Sequence, residues 1–312
     1  MLGLGLISPV SAAADGPVTP TATDYLARIT SSPAGVKAKV VDGYLNLWMS
    51  VPGDEQVLVR DFEGAPWVRF DRAGVQVNHN SQEYYLSQVP VPAVPPKALS
   101  PTTPPRWVSV SSGHIYMWRE GRMHALTAIA VAPGTTRVGS WNIAMTVAGR
   151  RAMLVGGLWY TGPPSIVWFW PIIVLLSCAL AAWRVRSAEL DRRLGRSLTL
   201  ALLALIAIAM AARYLHGRPG ISPGNVLLLS VIVLALALAA GRLLSGRSGL
   251  PLLLATALVA LWAGLTLITV LTHGYVLLAL PAFVARSVTA ALLGGSLGLA
   301  LIGVRALDRG AA

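Results

Sequence analysis

Four potential soft-metal ligands fall within one short stretch of the 312-residue chain: His114, Met117, Met123 and His124. Imidazole and thioether donors together suit copper. The spacing His114-x-x-Met117 and Met123-His124 predicts a copper site if the chain reverses at Glu120-Gly121 and lays two strands side by side. The same residues have a reading without a cofactor. Trp118 on a strand with Arg122 across the turn forms a cation–π contact, Glu120 lies between them, and His124 bonds to backbone, so the hairpin is fastened internally. Hydrolytic chemistry finds less support. Asp54-Glu55, Asp61, Glu63 and Asp71 fall at turns or strand ends, where carboxylates are solvated. Ser111, Ser112 and His114 are neighbours on an extended segment, so no two adjacent side chains share a face. No P-loop, GxGxxG or HExxH is present, and the expectation is a protein that is not an enzyme.

These residues must be held by something, and composition says in what setting. Only 12% of residues are charged while 54% are hydrophobic, against about 25% charged in a typical soluble domain. The net charge of +12 is unevenly spread. Residues 15–165 contain 13 basic and 10 acidic residues, whereas 166–312 contain 12 Arg against Glu189, Asp191 and Asp308. Basic residues concentrated beside apolar runs indicate a membrane domain rather than a nucleic-acid surface, so nucleic acid is not an expected partner.

The first residues, MLGLGLISPVSAAADG, read as a truncated signal peptide over 1–14, with Ala12-Ala13-Ala14 as the cleavage site. From Val36 to Tyr160 short alternating or β-branched runs alternate with turn residues, the pattern of an all-β, immunoglobulin-like sandwich. Strands are expected at 36–41, 44–50, 56–62, 67–70, 75–78, 106–110, 114–118, 141–147 and 151–159. Asp42-Gly43, Pro52-Gly53-Asp54, Asp71 to Gly74 and Ala148-Gly149 supply turns. Residues 90–105 hold seven prolines in sixteen residues and are expected to be a stiff crossover between strand groups or a spacer. The domain expected over 15–165 has no Cys; the single Cys178 lies in an apolar run, where packing is its expected role.

Beyond Pro164 five spans are expected, at 166–183, 197–215, 224–243, 250–271 and 281–304, each near the ~20 residues that cross a bilayer. Arg184, Arg186, Arg192, Arg193 and Arg196 occupy one connection, Arg242 and Arg247 another, and Arg305 and Arg309 the tail. The positive-inside rule then puts these on the cytoplasmic side, with the β-domain extracytoplasmic and the C-terminus inside. All five His, including His79, His216 and His273, fall on the outer side. Trp168, Phe169 and Trp170 read as an interfacial belt. Arg286, the only charge more than three residues inside a proposed span, is expected to snorkel to the outer interface, with anion binding as the alternative. Gly294 and Gly298 form a GxxxG that would permit a homo-oligomer.

The stretches GAPWVRFDRAGVQVN, SGHIYMWREGRMHAL and GSWNIAMTVAGRRAMLVGGLW, followed by Pro163-Pro164, resemble a family of actinobacterial membrane proteins with an exported β-domain and a W-H-D-H-R-x-H-like motif. Trp118, Glu120, Arg122 and His124 occupy matching positions, while Arg119 and Gly121 stand where that motif has His. The layout also resembles fusions of copper-resistance domains to membrane partners. The expectation is a non-enzymatic, multi-pass protein of the bacterial plasma membrane whose exported domain binds a protein or envelope partner. Copper handling is the alternative.

Overall fold

The computed structural model describes residues 20–88, 92–124, 136–184, 187–216, 230–231, 234–235, 237–242 and 250–311. The expected signal peptide and half of the expected span 224–243 lie outside the described residues. In chain order the strands are β1 (Ala22–Thr23), β2 (Tyr25–Ser31), β3 (Lys37–Val41), β4 (Asn46–Ser50), β5 (Val57–Arg60), β6 (Pro66–Asp71), β7 (Gly74–Asn78), β8 (Trp107–Ser111), β9 (Ile115–Arg119), β10 (Arg137–Val147), β11 (Arg150–Tyr160) and β12 (Tyr275–Val276). The helices are α1 (Gln82–Leu86), α2 (Trp170–Arg184), α3 (Ala188–Leu215), α4 (Leu250–Thr266), α5 (Thr269–Thr272) and α6 (Ala282–Ala311). Two units result: Tyr25–Thr161, rich in strands, and a helical unit made of Gly162–Ala312 together with Thr21–Asp24. The boundary falls a few residues before the expected 165/166. The residues just before β2 belong to the helical unit, because β1 pairs with β12 there.

The β unit has two sheets, ordered β2-β11-β10-β5-β6-β7-β8 and β3-β4-β9. This seven-plus-three division differs from the four-plus-three of an immunoglobulin constant domain. Alternation along each strand puts one side inward: Val57 and Val59, Trp141, Ile143 and Met145, Leu47 and Met49 all enter one core shared by both sheets. All nine expected strands are present, with ends shifted by a few residues. One strand and one helix fall outside the expectation. β2 pairs with β11 from Tyr25↔Tyr160 onward, so the two ends of this unit run side by side. α1 is about a turn and a half, capped by Ser81, whose side chain accepts from the Glu83 amide.

The proline-rich segment joins the two expected strand groups within one sheet. Its flanking strands β7 and β8 are neighbours in the same sheet. The base of this long connection is closed by Asn78, fully buried, whose side chain donates to the Pro66 carbonyl and accepts from the amides of Asn80 and Arg106. Prolines can populate the segment because its ends are pinned by one asparagine rather than by a ladder.

The β10–β11 hairpin turns through Ala148 (φ 48°) and Gly149 (φ 75°), the two positive-φ positions of a type I′ turn. Further along β11, Gly156 and Gly157 serve two tryptophans on opposite faces. A Cβ on Gly156 would lie 2.0 Å from the Trp141 ring, and one on Gly157 would lie 2.7 Å from the Trp159 ring. Trp141 Nε1 donates to the Gly157 carbonyl at 3.0 Å.

In the helical unit two helices, Ala188–Leu215 and Ala282–Asp308, are long and apolar enough to cross a membrane, and Ile166–Ser177 and Leu250–Thr266 are shorter apolar helices. The stretch expected as one span over 250–271 breaks after Thr266. α4 covers about 25 Å at 1.5 Å per residue, short of the ~30 Å hydrocarbon core, and α5 follows as a separate turn. Ser187 caps α3, accepting from the Leu190 amide, and Glu189 and Asp191 in the first turn complement the helix dipole. Asp191 also meets Arg305 of α6 at 3.1 Å, with both residues buried.

The glycine pair that would permit an oligomer packs against two helices of the same unit. A Cβ on Gly294 would fall 2.5 Å from Leu175 of α2, and one on Gly298 would be in van der Waals contact with Leu198 of α3. Close approach is what these glycines permit, and α2 and α3 take it up. Arg286, expected to snorkel, is held by backbone carbonyls. It is buried, donating Nε to the Val270 carbonyl at 3.1 Å and Nη2 to those of His273 (3.3 Å) and Gly274 (3.2 Å). Its guanidinium lies 5.5 Å from the Trp168 ring centroid. The turn after α5 leaves carbonyls without helical donors, and the arginine supplies them. The same turn is tied to the chain before β2 by the Gly274 amide donating to Asp24 and the Leu277 amide to the Thr21 carbonyl.

Candidate functional site

β9 carries the residues that the sequence singles out. It pairs along its whole length with β4, from Ser50↔Ile115 to Asn46↔Arg119, and the chain then closes a 3-10 turn over Gly121–Met123. Trp118 points into the shared core and Met117 to the other side of the strand, as alternation requires. Beyond the strand, Met123 is also buried in the core.

The turn does not bring His114 and His124 together. They flank opposite ends of β9, and that five-residue strand alone spans about 13 Å at ~3.3 Å per residue. His114 Nε2 bonds the Asp71 carbonyl at 3.0 Å, and His124 Nε2 bonds the Leu45 carbonyl at 3.2 Å. Burial keeps His124 below the ordinary imidazole pKa, and its ring packs edge-on to Tyr44. Thus His114, Met117, Met123 and His124 take four separate places. Among the described residues no group of three or more His, Cys, Asp or Glu gathers as metal ligands do.

What does assemble is Trp118, Glu120 and Arg122, through bonds other than the expected cation–π contact. Glu120 is completely buried. Its Oε2 accepts from Trp118 Nε1 at 2.9 Å and Arg122 Nη2 at 2.7 Å, while Oε1 accepts from Arg122 Nε at 2.7 Å and from the Arg122 amide. This is the fork-to-fork geometry that makes arginine–carboxylate pairs strong. Arg122 Nη1 reaches across to the Arg60 carbonyl at 2.8 Å, so the guanidinium joins the end of β9 to β5. Burial opposes its charge, but the bonds and field of Glu120, reinforced by Glu83 and Asp61, outweigh that and hold its pKa above the ordinary value.

Two further buried carboxylates, which the sequence reading leaves at the surface or passes over, complete the cluster. Asp61 accepts from the amides of Glu63 and Ala65 and from the Ser81 hydroxyl at 2.7 Å. Glu83, on the first turn of α1, is 2% exposed, and its Oε1 has no hydrogen-bond partner. Burial first, and then the neighbouring Glu120, push its pKa up from 4.5 to about 7. The signal that could have exposed Glu83 is Ser81 two residues ahead, an N-cap that fixes which side of a short helix turns inward. The helix is too short for periodicity to reveal it. Chemically the cluster is a closed network. Glu120 and Arg122 satisfy each other, Asp61 binds three protein donors, and Glu83 is held as a neutral acid below pH 7.

No family model, curated protein or solved structure matches this chain.

Proposed function

We propose that this chain is a multi-pass protein of the bacterial plasma membrane, with the β unit extracytoplasmic and the C-terminus cytoplasmic, and that the β unit is a non-enzymatic binding module for an envelope partner. The observation that carries the membrane part is the outer surface of the helical unit. Ile173, Leu180, Ile208, Leu258, Trp262 and Phe283 are large, apolar and exposed, on a scale that water does not tolerate on a monomer. The five spans expected from the sequence, with the arginines between them, support the orientation. The binding role draws on the insertion of Tyr25–Thr161 between Asp24 and Gly162, which fastens one folded module at both ends. Copper handling by His114, Met117, Met123 and His124 would need donors from the two ends of β9 to meet, and no observation favours that.

Reporter fusions test the topology. A periplasmically active phosphatase fused after Ala311 should be inactive, and one inserted at the Ala148-Gly149 turn should be active; the reverse pattern overturns the orientation. Extraction of the full chain by carbonate at high pH would overturn membrane insertion itself.

A further inference from the structure

We infer that the outward face of β2–β11–β10 is a docking surface for the anionic headgroups of the bilayer, with Arg28, Arg137 and Arg151 as phosphate contacts and Trp159 and Met153 as the apolar floor between them. The inference rests on the membrane reading above and names the partner of the module.

Register sets the face. Trp141, Ile143, Leu154 and Leu158 turn into the core, so the alternate positions of β10 and β11 turn outward. Arg28 stands directly opposite Gly157, Arg137 opposite Trp159 and Thr146 opposite Arg151. All three arginines are exposed, and Met153 between them is 52% exposed. The three strands carry Arg28, Arg137, Arg150 and Arg151 and contain no Asp or Glu. Among the described residues none of the four arginines forms an ion pair, whereas Arg69, farther along the same sheet, is met by Asp71 at 3.1 Å.

Two of these charges share one aromatic ring. The guanidinium carbons of Arg28 and Arg137 lie 5.5 Å and 5.8 Å from the same Trp159 ring centroid, so together these distances limit their separation to about 11 Å. The bare Cα of Gly157 lets the ring lie down on the sheet, since a Cβ there would strike it. Two exposed cations on one indole, with no acidic partner among the described residues, offer a site to an anion, and guanidinium matches phosphate oxygens in a fork. An indole flanked by arginines is also the chemistry of a bilayer interface. Lipid is favoured over a soluble polyanion because β11 ends only five residues before the apolar helical segment that starts at Ile166.

The test uses the full chain with Cys178→Ser and Met153→Cys, labelled with a fluorophore and reconstituted in nanodiscs that carry nitroxide-labelled lipid. Quenching should be at least about two-fold greater in discs with anionic phosphatidylglycerol than in phosphatidylcholine alone. The excess should vanish in the triple variant Arg28→Gln, Arg137→Gln, Arg151→Gln and at 1 M salt, where screening shortens to about 3 Å. Equal quenching in both discs overturns the inference, and so does an excess that the triple variant keeps. Protection of the label by soluble polyphosphate with no response to anionic lipid overturns the lipid assignment in favour of a polymer. A chain that does not enter discs at all overturns the membrane reading, and this one with it.

Discussion

Replacing Glu83 by Gln should stabilise the β unit, and only above the acid range. In the folded protein the Glu83 carboxyl is buried, has an oxygen without a partner and faces Glu120 and Asp61 across the cluster, with Arg122 already bonded to Glu120. Folding therefore raises its pKa, from 4.5 to about 7, and the folded state binds the proton more tightly than the unfolded chain. Stability from this group is fully present below pH 4.5 and is lost as pH rises through 7. Every tenfold gain in proton affinity is worth about 1.4 kcal/mol, so the loss is about 3 kcal/mol at pH 8. Glutamine stays neutral and keeps the shape. The advantage of Glu83→Gln should thus be near zero at pH 4.5, grow across pH 5 to 7 and level off at about 3 kcal/mol. Denaturant-dependent hydrogen exchange at the Trp118 and Glu120 amides, in the full chain in micelles, reads the β unit alone. All other titrating groups cancel in the difference between variant and parent. A difference that is the same at pH 5 and pH 8 would refute the reasoning, because a packing effect has no such pH dependence.

Three further substitutions address other parts of the fold. Arg122→Met leaves the Glu120 charge buried without its partner and should cost roughly 3–5 kcal/mol; Arg122→Lys should recover only part, since one ammonium cannot make the fork and also reach the Arg60 carbonyl. Both are measured by urea unfolding followed through Trp fluorescence. Ala148→Asn, at a left-handed position that disfavours alanine, should raise stability by up to about 1 kcal/mol in the same assay. Gly156→Ala drives a methyl into the Trp141 ring and the Arg28 carbonyl and should destabilise by about 3 kcal/mol, with loss of the near-ultraviolet signal of packed tryptophan as its mark.

The sequence reveals most of the sheet because alternation is strong where one face is buried: Val57, Val59, Val75 and Val77 declare themselves. β2 escapes because Tyr25–Ser31 reads as a mixed polar run whose strand character comes from pairing with β11. The histidines illustrate a different limit. Spacing between His114 and His124 cannot say which strand lies beside β9, and the ladder shows that β4 does along its whole length. Trp118, Glu120 and Arg122 are legible as a unit, but the bond that joins them is not: residue types suggest a stacking contact where a carboxylate in fact accepts from both partners. Glu83 depends on a helix too short to have a pattern. Depth in an apolar run sends Arg286 to the interface, and the break after Thr266 that gives it carbonyls to bind is invisible in hydropathy.

The buried cluster and the basic sheet face have one cause in the placement of a few acids. Residues Tyr25–Thr161 contain 13 basic and 8 acidic residues, a net charge of +5. Asp61, Glu83 and Glu120 are buried with only Arg122 as a basic companion. Removing these four leaves 12 basic and 5 acidic residues toward solvent, a net of +7. Sequestering acids inside thus makes the outside more basic than composition indicates. The remaining acids, Asp42, Asp54, Glu55, Glu63 and Asp71, all lie on the chain from β3 to β7, and none of them is on β2, β10 or β11. A field of that kind acts on an anionic surface over about a Debye length. Neutralising Arg28 and Arg137 should therefore weaken the response to anionic lipid steeply at low salt and little at high salt, while Arg122→Met, which removes a buried charge, should leave the salt dependence unchanged in whatever fraction remains folded.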